Sequence, residues 1–388
     1  MKSNFLSVFK YEIKGLLLSP KRLFYVLVFP LMLFGFLSAL FHQGVPRDLP
    51  MALLDEDQSQ LSAQLIRALD ATPSMKMSVN VTDEHQAQKL IQQQKVYGFV
   101  RIPKEFQSKI LQGKGQEVIC YTNNQFILTA GLIQKDFQVV IGMFSAGISV
   151  KQKTQKGVQM QKALSEAQPV RVDEHALFNP FSNNAFYLLT ALFPMMLQMI
   201  VIMITMYVLG VDFKYNQGKR WLHRAGGNHK VALLGKVLPY TLVLFFVAWC
   251  MNFLLFKWIG TPLQVSMLSV MIISFLLVLV YQVIGFLLIS FIPDFRGALT
   301  IGSGFTAIAF SFAAYTFPIE GLPTSMQLLA DIFPFTHFTE YFVNRAVKGI
   351  PFIFTWKPLL VLIGYLLLLV MAYPRFVKRI EKGGYEKN

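Results

Sequence analysis

The residues best placed to do chemistry are few, and their spacing denies each of them the obvious role. Gly113-Lys114 and Gly235-Lys236 are the Gly-Lys pairs that a phosphate-cradling loop would need. Such a loop also needs a glycine five residues before its Gly-Lys glycine, and those positions hold Ser108 and Lys230. No Gly-x-Ser-x-Gly elbow and no His-Glu-x-x-His pair occurs. Asp83-Glu84-His85 and Asp173-Glu174-His175 carry metal-ligand types, but adjacent residues on a helix or strand do not converge on one ion. Acids in the first triplet suit a helix N-terminus. The chain is therefore expected to hold no catalytic, cofactor-binding or metal residues, and not to be an enzyme.

A second set of polar residues lies in apolar runs: Gln198, Asn252 and Gln282. Hydrogen bonds between helices account for them. No Asp, Glu, Lys, Arg or His falls inside the six runs read below as membrane spans. Ion-coupled carriers need ionisable groups at membrane depth, so that class is disfavoured. The densest charge is a basic island, 212–236, with Lys214, Lys219, Arg220, Arg224, Lys230 and Lys236 against one acid, Asp212. Trp221 sits among them. The island is either a handle for a soluble partner or a plain topology signal.

The elements that must position these residues follow from hydropathy. The 388 residues are 54% hydrophobic and 15% charged, with mean hydropathy +0.47. A soluble domain carries about 25% charge, so the reading is an α-helical integral membrane protein. Residues 1–22 hold an interfacial amphipathic helix, with Phe5, Phe9 and Ile13 at helical spacing and Lys10 and Lys14 elsewhere on the wheel. The first span is 23–41. The next polar stretch, 42–184, alternates strand and helix signals and reads as an α/β extracytoplasmic domain ending in a long helix from Phe126 to about Glu166. Five more spans fill 185–374: 186–211, 237–256, one within 263–293, 297–319 and 358–374. Ser303, Ala307 and Ser311 on the fifth form a small-residue stripe suited to close packing. Residues 318–357 are too broken by proline to span and are expected to dip into the outer leaflet. Residues 375–388 form a basic tail.

The charge bias orients this scheme. Seventeen of the 36 Lys and Arg fall in segments assigned to the cytoplasm, and the short outer loops hold only Lys257, Arg345, Lys348 and Lys357. Cationic short loops stay inside. Both termini are thus expected in the cytoplasm of a multi-pass protein. The net charge of +15 sits beside the spans and suits anionic lipid headgroups, with no nucleic-acid motif present. Cys120 and Cys250 allow no disulfide framework. The 36 phenylalanines suit lipid-facing packing, or a lining for an apolar molecule.

The whole arrangement resembles the permease subunits of ABC-2 type exporters, in the multidrug and hemolysin-type branch with a large outer domain after the first span. The resemblance rests on the order of several modest motifs. These are Pro20-Lys21-Arg22 after the interfacial helix; Leu49-Pro50-Met51-Ala52-Leu53-Leu54-Asp55; Gly98-Phe99-Val100-Arg101-Ile102-Pro103-Lys104-Glu105-Phe106; and Leu234-Gly235-Lys236-Val237-Leu238-Pro239. A C-terminal outer signature follows, with Phe317, Pro318, Pro323, Phe333 and Pro334. One segment departs: where the family often has an acidic Glu-Gly-Thr-Glu-type stretch, this chain has Asn216-Gln217-Gly218-Lys219-Arg220-Trp221.

The resemblance implies a bacterial inner-membrane permease and a separate cytoplasmic ABC ATPase that holds the ATP and Mg. It implies a second permease copy or paralogue and, where a system crosses the envelope, a periplasmic membrane-fusion adaptor. Lys214, Lys219, Arg220, Trp221, Arg224 and Lys230 would form the coupling loop. The cargo would be a hydrophobic or amphipathic compound, drug-like or lipid. A different class stays open: an envelope-assembly or signalling protein whose outer domain binds a periplasmic partner while nothing crosses.

Overall fold

The computed structural model describes residues 5–42, 44–167, 177–180, 183–313, 315 and 318–385. It divides into two compact units, Met1–Gly44 with Ala176–Asn388, and Val45–His175.

The first unit begins with α1 (Phe5–Leu17) and α2 (Pro20–Leu40). Helix α2 starts three residues before the expected span because Ser19 caps it, accepting a bond from the Arg22 N–H at 3.4 Å, and Pro20 takes the first turn. Its segment Phe24–Val28 is a π turn.

The second unit is an α/β sandwich. In order along the chain it contains β1 (Leu49–Asp55), α3 (Gln60–Asp70), β2 (Met75–Asn80), α4 (Glu84–Gln92) and β3 (Gly98–Ile102). Then come α5 (Phe106–Leu111), β4 (Ile119–Thr122), α6 (Ile127–Gln155) and α7 (Met160–Ala167). The sheet order is β2-β1-β3-β4, with β1 parallel to β2 and β3, and β4 antiparallel to β3. Alternation along the strands splits the core in two. Leu49, Met51, Leu53, Val100 and Ile102 meet Leu65, Leu69, Phe106, Ile133 and Val140 from α3, α5 and α6. Ala52, Leu54 and Phe99 pack with Ala87 of α4 and with Val81 and Val96. Gly98 cannot carry a Cβ, because it would strike the Tyr121 carbonyl across the β3–β4 pair. Asp83 caps α4 by accepting from the Gln86 N–H at 2.7 Å, and Glu84 pairs with Arg101 at 2.6 Å. Partial burial pushes the Cys120 thiol up to about 12. The expected single long helix is broken at Gly157, whose φ of +87° lies in the left-handed region. The triplet Asp173-Glu174-His175 lies outside the described residues.

The first unit resumes with α8 (Asn184–Lys214), α9 (Gly218–Arg224), α10 (His229–Trp258), α11 (Met267–Phe291) and α12 (Phe295–Ser311). It ends with α13 (Thr324–Asp331), α14 (Pro334–Phe342), α15 (Phe352–Tyr365) and α16 (Leu368–Lys382). Helix α8 is the central post, packed chiefly on α11 and α12. Gly285 of α11 lets Ile202 and Thr205 of α8 approach, and Gly210 of α8 meets Ile289 of α11. Both partners rise together along the chain, so α8 and α11 run parallel.

Several expectations change. Among the described residues six helices are long and apolar enough to cross a membrane: Pro20–Leu40, Ile127–Gln155, Asn184–Lys214, His229–Trp258, Met267–Phe291 and Phe352–Lys382. The set differs from the expected six at one place. The expected fifth span, 297–319, is α12 and stops at Ser311 after 17 residues. Ile127–Gln155 replaces it on length and composition, yet its Ile133 and Val140 belong to the core under the sheet. The small-residue stripe on α12 is also one position off. Ala298, Gly302, Thr306 and Ala309 are buried, whereas Ala307 and Ser311 are exposed.

The last span runs from Phe352 to Lys382, so most of the expected basic tail is helix. It is interrupted between α15 and α16. There Leu366, Leu367, Leu369 and Val370 donate to carbonyls three residues back, a tightened turn. Within 318–357, α14 is fully integrated in the bundle through Phe335, Phe338 and Phe342.

Candidate coupling site

Glu12 is the lone acid among the first 41 residues, and the structure puts it in the interior. Helix α1 packs on α10 through Val8, Glu12 and Leu16, an i, i+4, i+8 stripe. The expected apolar stripe of Phe5, Phe9 and Ile13 lies beside this one. Phe5 is exposed and stacks on Phe9 at 5.8 Å, and Lys10 and Lys14 are exposed as well. The two helices come close because Gly235 leaves room: a Cβ there would lie 2.9 Å from Val8.

The residue after Gly235 is Lys236, and its ammonium donates to Glu12 Oε1 at 2.9 Å. It also lies 2.9 Å from Asp212 Oδ2 at the end of α8. The side chains of Lys236, Glu12 and Asp212 are 5%, 6% and 18% exposed. Tyr240, one turn on from Lys236, donates its hydroxyl to Glu12 Oε2 at 3.5 Å. Three segments far apart in sequence are thus tied at one ammonium. Burying a charge is tolerable only when it is paired and hydrogen-bonded, which this arrangement provides.

Trp221 closes the site from α9. Its ring centroid is 5.2 Å from the Lys236 ammonium, and its indole N–H donates to the Ala232 carbonyl at 3.0 Å. Behind it lie Phe213 and Phe376, with ring centroids at 6.1 and 5.6 Å. Phe376 belongs to α16, so that helix is locked to the same block. Gly218 donates its N–H to the Gly383 carbonyl at 2.9 Å, too close for a side chain. Arg379 donates to the Ile289 and Ile292 carbonyls at the end of α11. Arg224 lays its guanidinium 3.7 Å over the Tyr11 ring.

A family model described as ABC-2 family transporter protein matches residues 21–373. The chain belongs to that family. It is a transporter permease subunit, a multi-pass membrane protein without catalytic machinery of its own, whose family works with a separate ABC ATPase. No curated protein matches the chain.

The permease structure redistributes the expected site residues. The segment 212–236 is mostly helical: α8 runs through Lys214, α9 covers Gly218–Arg224 and α10 starts at His229. Trp221 is buried, Arg224 rests on Tyr11, and Lys214 lies 5.4 Å from the Tyr215 ring. Lys219, Arg220 and Lys230 are exposed. The C-terminal outer signature separates. Phe333 and Pro334 are buried, with Phe333 stacked on Phe312 at 5.9 Å, while Pro318 and Pro323 are exposed. Phe317 lies outside the described residues.

Sequence reasoning missed Glu12 and treated Asp212 and Lys236 as loop charges. The expected spans stopped at 211 and restarted at 237, one residue short of a buried charge on each side. The spans' helices therefore do carry ionisable groups, at the basic end and paired. The available signal was a single carboxylate in each of two otherwise cationic segments.

Proposed function

We propose that this permease exports a hydrophobic or amphipathic compound, drug-like or lipid, from the cytoplasm or the inner leaflet. A cytoplasmic ABC ATPase docked on the segment 212–236 would drive it, and a second permease copy or paralogue would complete the pathway. The basic end then faces the cytoplasm of a bacterial inner membrane, with both termini inside, and the α/β unit lies outside. The charge bias of the short loops supports this orientation.

The observation that carries the reading is the buried Lys236–Glu12–Asp212 contact. It joins α1, α8 and α10 into one block, with α9 and α16 fastened to it by Trp221 and Phe376. A push on α9 reaches the central post of the bundle through this block without passing through a flexible loop. Lys219 and Arg220 are exposed on α9 as contact points. Charge reversal there turns a basic surface acidic, and so changes the surface that the ATPase meets.

The test uses the permease co-purified with its ABC ATPase, reconstituted in inside-out vesicles. Lys219→Glu with Arg220→Glu is expected to lower ATP-dependent substrate accumulation about tenfold, the weight of roughly 1.4 kcal/mol at the contact, with the permease still folded. Unchanged accumulation and unchanged ATPase retention would defeat the coupling role of α9. Accumulation driven by an ion gradient without ATP would defeat the ATP-driven reading.

A further inference from the structure

Beside the buried ion contact is a cavity of about 70 Å³ whose lining has more positive than negative charge. Its charged residues are Arg22, Arg220, Arg224 and Lys236 against Glu12 and Asp212. Lys236 is already taken by the two carboxylates. One arginine balances the remaining negative charge of that contact, which leaves an excess of two positive charges. Among the described residues none of the three arginines forms an ion pair. Arg224 stacks on Tyr11, and Arg22 interacts with the Tyr240 hydroxyl. A drug-sized ligand fills about 300–1,000 Å³, so this is no substrate chamber. The space suits a compact oxyanion such as a tetrahedral phosphate, which arginine forks recognise.

The rim says where such a phosphate would come from. Tyr11 and Tyr207, 52% and 48% exposed, both line the cavity. Exposed tyrosines beside apolar surface mark the headgroup level of a bilayer. The face of α1 turned away from α10 exposes Leu6 and Leu17 beside Lys10 and Lys14, apolar surface next to cations at the level of an anionic headgroup. A phosphate arriving with acyl chains meets both requirements, and a free phosphate meets only one.

We propose that this cavity binds the phosphate of an anionic membrane phospholipid, held by Arg22, Arg220 and Arg224, with its chains lying along α1. The bound lipid then stitches α1 to α2, α8 and α9, so its occupancy supports the block on which coupling depends. The binding claim stands without the transport reading, because it can be read with no ATPase present.

The experiment measures lipid retention on the purified full-length permease by native mass spectrometry, with thermal unfolding in parallel. The probes are dioleoylphosphatidylglycerol, dioleoylphosphatidylcholine and inorganic phosphate. Phosphatidylglycerol should be retained and should raise the Tm, and phosphatidylcholine should do neither. Arg22→Gln with Arg220→Gln should weaken phosphatidylglycerol binding about fivefold per arginine removed. Arg22→Lys with Arg220→Lys should recover part of it. Lys378→Gln, an exposed cation away from the cavity, should leave it unchanged.

Equal retention of both lipids, or an equal loss in Lys378→Gln, would overturn the site in favour of diffuse attraction. Stabilisation by inorganic phosphate matching that by the lipid, and removed by the same double variant, would overturn the lipid assignment.

Discussion

Two buried polar regions of the same helical unit follow opposite rules. At the basic end, three charged side chains meet in the interior and each has an opposite partner. In the body of the bundle the polar groups are neutral, and several are incompletely satisfied. Thr241 donates to Gln282 Oε1 at 2.9 Å, and Asn252 donates to Ser274 Oγ at 2.9 Å, each joining α10 to α11. Gln198, however, is fully buried, and among the described residues neither end of its amide has a hydrogen-bond partner. The α8–α11 register sets Ile202 against Gly285, so Gln198 and Tyr281 fall at the same level one turn earlier. Charge is concentrated where helix ends converge and can be matched. Deeper in, a neutral group that misses its partner costs far less than an ion would.

The largest effect should come from breaking the charged region. Lys236→Ala leaves two carboxylates facing each other in the interior, and should cost about 3–5 kcal/mol, read as a fall in Tm in detergent. Replacing all three together, Glu12→Gln, Asp212→Asn and Lys236→Met, should restore most of that loss. If the triple variant is no more stable than Lys236→Ala, the contact is not the source of the stability.

Next comes the close approach that brings Glu12 within reach. Gly235→Leu forces a side chain into Val8 and should cost about 1–3 kcal/mol, with α1 becoming the first segment cut in limited proteolysis. Cleavage that still begins elsewhere would show that α1 is held by other means.

The neutral region should respond weakly. Asn252→Ala should cost about 0.6 kcal/mol, the usual weight of a hydrogen bond between membrane helices. Gln198→Leu should be neutral or stabilising, since it removes a buried group that has no partner among the described residues. A Gln198→Leu variant as destabilised as Lys236→Ala would erase the contrast between the two regions. One that keeps its Tm but loses transport would make Gln198 a working residue.

Much of the α/β unit was legible because strands and short helices declare themselves locally. Leu49–Asp55 and Gly98–Ile102 alternate or run apolar, and Ser59 and Asp83 are caps with a helix after them. The long apolar helices were equally plain. The break at Gly157 aside, the failures share one cause, which is that partners distant in sequence decided the outcome. Glu12 is 224 residues from Lys236, and no local pattern announces that the two will meet. The buried stripe of α1 turned on that meeting: the wheel sets Glu12 almost in line with Phe5, and only the packing on α10 decides that this carboxylate goes inward. On α12 the partner was Met206, which fills the space over Gly302, so glycine lay inward and Ser303 to the side. The basic tail was read only by its cations, which are visible in sequence, whereas the docking of Phe376 and Ile380 is not.

The interruption of the final span at Leu366–Leu367 bears on how far a displacement at the basic end can travel. A turn bonded three residues back advances about 2.0 Å and 120° per residue, against about 1.5 Å and 100° in an α-helix. If four such residues relaxed to the looser winding, the lower half would screw by about 80° and retract by about 2 Å relative to the upper half. The lower half carries Phe376 and Arg379, and the upper half packs against α14. The winding of this turn therefore sets how the end that carries Phe376 is phased against the end seated on α14.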